Sequence, residues 1–198
     1  MTTSAKSQGS LMLALFPLII LYAGTVALFA LTRENASGIA VYWGYFVPVI
    51  GLISLVTAWG NAYVRGDSRL FYLAKQIIIW GALAWVLTIL HKMGVDSALG
   101  GQKAAVTLIM MTALVALLVG LYLDTKMVVY GAFLGFCGYL LADPGHSAIL
   151  VKIGEPFKVV DPANKPVTMV IAVAIVAFLV AAFFLLSTRG SAASKRSS

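Results

Sequence analysis

The chain has 198 residues, of which 61% are hydrophobic and 11% charged, with a formal net charge of +7. A soluble domain carries roughly 25% charged residues, so this composition, with a mean hydropathy of +0.98, places the chain in a bilayer and leaves little length for a soluble domain. The basic residues sit at span ends and in the tail, not in one patch interleaved with aromatics, which argues for lipid headgroups and against nucleic acid.

Residues 1–10 are small and polar and read as a disordered tail. The first span covers 11–32. Its apolar run is longer than that of a cleavable signal peptide and no A-x-A site follows, so it reads as an uncleaved transmembrane helix. In the joint after it, Asn35-Ala36-Ser37 matches the glycosylation sequon, here a chance tripeptide at the membrane surface. The second span, 39–59, enters through Tyr42, Trp43 and Tyr45, an interfacial aromatic belt, and Pro48 near its middle predicts a kink. A polar joint follows, in which Asp67 or Ser68 can cap the next helix.

The third span, 70–92, starts amphipathically and carries Lys75, the most embedded cation. Its long stem predicts snorkelling to the headgroups. His91 to Lys103 reads as a flexible surface loop. The fourth and fifth spans, 104–123 and 127–142, form a helical hairpin about Asp124-Thr125-Lys126, with Asp124 capping the second arm and Lys126 meeting headgroups. Asp143-Pro144-Gly145-His146 then breaks the helix. The segment 147–165 is too short and too charged to span. Two β-branched runs flank Gly154-Glu155-Pro156, which predicts a small extramembrane β-hairpin and a partner-contact element. The sixth span is 166–186, and 187–198 reads as a disordered basic tail.

The fold class is therefore all-α: a polytopic integral membrane protein of six transmembrane helices in a compact bundle, with a hairpin-like segment between the fifth and sixth spans. Lipid tails are as apolar as leucine, so such helices associate through small residues that let backbones approach. The fifth span offers Gly131, Gly135 and Gly138 on one face, and the fourth Ala113, Ala116 and Gly120. Similar stripes occur in the second span (Gly44, Pro48, Gly51), the third (Gly81, Ala84, Thr88) and the sixth (Ala174, Ala177, Ala181). All read as helix-packing surfaces.

Chemistry is sparse in the sequence. No span has Asp, Glu, Arg or His at its centre, and there is no G-x-S-x-G, H-E-x-x-H or P-loop pattern. His91 and His146 lie at a helix end and in a turn, and His146 with Asp143 is at most a fragment of a metal site. Cys137, the sole cysteine, reads as a small core residue. No catalytic residue, cofactor or metal is assigned. Lys75, Asp124, Lys126, Lys152 and Lys158 are candidate lipid or partner contacts.

These features point to a non-catalytic integral membrane subunit or scaffold that contacts the bilayer and binds lipid, other membrane chains or copies of itself. The alternative is a small permease or channel, with Thr57 and Asn61 as polar groups and Trp43, Trp59, Trp80 and Trp85 as cavity lining. Basic residues are nearly balanced between the two faces. The expected location is a bacterial inner membrane with both termini cytoplasmic.

Overall fold

The computed structural model describes residues 3–65, 69–142, 147–159 and 161–194, with side chains placed for 15–57, 70–142, 149–156, 158–159 and 161–187. Among the described residues eight α-helices run in the order α1 (Thr3–Arg33), α2 (Ile39–Arg65), α3 (Arg69–Lys92), α4 (Val95–Leu99), α5 (Gly101–Tyr122), α6 (Thr125–Ala142), α7 (Ser147–Phe157) and α8 (Pro166–Ser194). A 3-10 turn, Pro162–Asn164, precedes α8. Six of the helices are long and apolar enough to cross a membrane: Leu15–Arg33, Ile39–Thr57, Leu70–Lys92, Gly101–Tyr122, Thr125–Ala142 and Pro166–Ser187. The cause is the solvent. With no water to satisfy N–H and C=O groups, a spanning backbone must bond to itself. The threonines obey the same constraint: Thr25 Oγ1 donates to the Leu21 carbonyl at 2.7 Å and Thr112 Oγ1 to the Leu108 carbonyl at 2.7 Å.

The α5–α6 hairpin is the centre of the bundle. The glycines predicted to pack helices lie on this seam, within one chain. A Cβ built on Gly131 would sit 2.7 Å from the Leu117 backbone nitrogen, and one on Gly138 would sit 3.0 Å from Met110 Sδ. A Cβ on Gly120 would run into the Val128 backbone. Ala113 and Ala116 are buried on the facing side. Gly135 differs: its nearest neighbour would be the Ala113 Cβ at 4.0 Å, ordinary contact. Against this pair pack α8 and α1 on one side and α2 and α3 on another. Ala174 and Ala181 of α8 are buried, as the small-residue stripe predicts.

The stretch His91–Lys103, expected to be a flexible loop, holds α4 and the start of α5, and two larger expectations are corrected. The segment 147–165 is not a β-hairpin, and no strand occurs among the described residues. Residues Ser147–Phe157 form α7, the most strongly two-faced helix in the chain. Leu150 and Gly154 are buried, while Lys152 and Glu155 face outward. Ile149, Leu150 and Ile153 recur at helical spacing, and this outweighs their β-branched composition. A helix satisfies its own backbone, whereas a lone hairpin is marginal. Gly154 lets α7 close on the turn: a Cβ there would meet Pro162 Cβ at 2.6 Å. The second correction is Lys126, which does not reach headgroups but is buried beside Asp124. The helical backbone of α1 and α8 also extends into the stretches read as tails, from Thr3 and to Ser194. The readings on Asp67, Ser68 and Asp143 to His146 lie outside the described residues.

Candidate functional site

The third and second spans meet where a Cβ on Gly51 would sit 3.3 Å from the Trp80 indole. Beside that contact Ser54 Oγ donates to Gln76 Oε1 at 2.9 Å, with both residues fully buried. Elsewhere the small-residue stripes of α2 and α3 are not covered by any helix. Gly44, Pro48, Gly81, Ala84 and Thr88 are exposed, and a Cβ on Gly44 or Gly81 would meet nothing within 4 Å. They line a half-open groove of about 810 Å³ between α2, α3, α4 and α5. That volume lies within the roughly 300–1,000 Å³ of clefts that bury a small ligand.

The groove's walls are hydrocarbon apart from its mouth. It follows α2 from Ala40 to Leu55, about 22 Å at 1.5 Å per residue, against a bilayer core of about 30 Å. At the mouth α4 crosses from α3 to α5. Gly94 and Gly100, with φ of 72° and 77°, take left-handed turns on either side of it that a side chain would disfavour. This fold-back brings Asp96 to His91, and Nδ1–H donates to Asp96 Oδ2 at 2.7 Å. Both residues line the groove, with Thr88 and Thr107 nearby. The two threonine hydroxyls donate to the Ala84 and Lys103 carbonyls, so their lone pairs are what they offer a ligand. Pro48 has no N–H, which leaves the Gly44 carbonyl without its usual helical donor. Deeper in the wall, Trp80 Nε1 is buried with no acceptor among the described residues, and the same holds for the buried Gln76 amide nitrogen of α3, outside the groove lining.

Two other polar clusters lie outside the groove. Tyr130 and Thr25 hydroxyls are 2.8 Å apart in a mid-bundle aromatic cluster, where Tyr22 stacks edge-on to Tyr130 at 5.4 Å. At the α5–α6 turn Asp124 Oδ1 accepts the Lys126 backbone N–H at 3.3 Å, the helix-capping geometry, while Asp124 Oδ2 lies 3.4 Å from Lys126 Nζ. Tyr72 of α3 closes over this turn, its hydroxyl donating to the Leu123 carbonyl.

The other charged candidates are dispersed. Lys75 is exposed, and its Nζ lies 4.5 Å above the Phe71 ring, one turn back toward the start of α3. That is a cation–π contact within one helix turn. Lys152 and Lys158 are exposed on and just after α7. Of the tryptophans, Trp80 alone of those described lines the groove. Trp43 is buried and donates to Thr32 Oγ1 at 2.9 Å, and Trp85 faces outward at 69% exposure. Thr57 bonds to the carbonyls of Ile53 and Ser54, and the side chains of Trp59 and Asn61 are not described. No group of three or more His, Cys, Asp or Glu able to hold a metal occurs among the described residues. The His91–Asp96 pair is the feature that sequence reasoning missed. Its signal is a histidine at a helix end and an acid five residues on, across a glycine. Comparison with protein-family models, curated proteins and solved structures finds no match to this chain.

Proposed function

We propose that this chain is a non-catalytic membrane subunit that holds a lipid in the groove between α2, α3 and α5. One observation carries the reading. The small-residue faces of α2 and α3, the surfaces that would ordinarily close helix against helix, stand apart and wall an apolar space instead. A space of that size and lining, open sideways to the acyl region, suits a hydrocarbon chain. Water gains nothing there except at the His91–Asp96 end.

The test is retention of lipid by the full chain extracted in mild detergent, measured by native mass spectrometry. Wild type is expected to keep bound phospholipid, and Gly81→Leu, which projects a side chain into the groove, to lose it. Equal retention by both overturns the reading. The permease alternative draws on the unpartnered Gln76 amide and Trp80 indole N–H inside the bilayer. Solute flux into vesicles that Gln76→Leu abolishes would favour it.

A further inference from the structure

We propose that the mouth of the groove selects a phospholipid carrying a primary ammonium headgroup, an inference that rests on the lipid-binding reading above. The argument is one of complementarity at a fixed depth. Ala40 and His91 bracket the mouth at the end of two spans, the level where headgroups begin. Asp96, Thr88 and Thr107 at that end offer acceptors, beside the Tyr45 hydroxyl, which can accept as well as donate. Asp96 is a carboxylate at 41% side-chain exposure, with one oxygen engaged by His91 and no further partner among the described residues. Thr88 and Thr107 have spent their protons on backbone carbonyls. His91 commits its Nδ1–H to Asp96.

An ammonium with three N–H donors fits such a rim. A choline head has charge but no N–H to donate, and a glycerol head has hydroxyls but no charge. The exposed Lys92 and Lys103 flank the same end. They attract the phosphate that all these lipids share and do not separate the two zwitterionic heads, ethanolamine and choline. The carboxylate of Asp96 discriminates.

The experiment reconstitutes the full chain in vesicles of equal parts phosphatidylethanolamine, phosphatidylcholine and phosphatidylglycerol with matched acyl chains. Co-purified lipid is then counted by native mass spectrometry. Wild type is expected to enrich the ethanolamine lipid about fivefold, the scale of a partly exposed ion pair. Asp96→Asn should remove the enrichment while the total lipid retained stays unchanged, and Asp96→Glu should restore it. Retention without headgroup preference in wild type, or enrichment that survives Asp96→Asn, overturns this inference and leaves the groove reading standing. Absence of any bound lipid in wild type, or a second copy of the chain seated in the groove, overturns both.

Discussion

The ammonium of Lys126 lies 3.4 Å from the Asp124 carboxylate, with side-chain exposures of 7% and 4%. A salt bridge this buried sits at the tip of the central α5–α6 hairpin, where Tyr72 bonds to the Leu123 carbonyl and ties α3 to the same turn. Three spans therefore meet on one pair of charges. Such a pair contributes little net attraction, but stranding one member is costly, because its desolvation is no longer offset.

Lys126→Met and Asp124→Leu are each expected to destabilise the protein by about 3–5 kcal/mol, and the double substitution by much less than their sum. Thermal denaturation of the detergent-solubilised chain reads the difference. Additive losses would show that the two charges do not act as a pair.

The seam glycines separate by space. Gly120→Ala and Gly131→Ala place a methyl against opposing backbone and should cost about 1–3 kcal/mol. Gly135→Ala has room, and by relieving glycine's backbone entropy should be neutral or stabilising by up to about 1 kcal/mol. Unfolding in mixed micelles ranks the three. Equal losses at Gly120 and Gly135 would contradict the packing described.

Ser54→Ala leaves the Gln76 carbonyl oxygen without the hydroxyl that donates to it and should cost about 0.6 kcal/mol, with a ceiling near 1.7. Gln76→Leu breaks the same bond but also removes a buried amide nitrogen that has no partner among the described residues, so the two effects offset and it should be close to neutral. The same unfolding assay compares them, and a larger loss for Gln76→Leu than for Ser54→Ala would mean the amide has an acceptor not accounted for.

Six crossings put successive joints on alternate faces. In a Cys137→Ser background, Ser97→Cys on α4 and Thr125→Cys at the α5–α6 turn should react with an impermeant maleimide from opposite sides of a sealed vesicle. Cys137 itself, fully buried, should stay unlabelled in the wild type. Reaction of both engineered thiols from one side would break the span count.

How much was readable in the sequence differs from element to element. The helices Ile39–Arg65 and Gly101–Tyr122 announce themselves, because an apolar run of span length has no other stable form in lipid. The region 147–165 is less transparent. A run such as Ala-Ile-Leu-Val-Lys-Ile satisfies strand composition and helix spacing together, and its neighbours in the 3-10 turn and on α8, with Gly154 against Pro162 and Met169, settle the outcome.

The sequence by itself determined the solvent, the number of the spans and the glycine-rich character of the fifth span, since each follows from local hydropathy and residue size. Only the tertiary structure decided which small-residue faces close and which stay open. Gly131 meets Leu117, whereas Gly81 meets nothing, although both lie in apolar helices of similar composition. It also decided that Lys126 turns inward and that His91 and Asp96 come together. The first two depend on how whole helices pack, whereas the third follows from the local fold-back at Gly94. A side chain's neighbours across a helix interface are set by how whole helices pack, and the residues flanking it in sequence carry no record of what lies opposite.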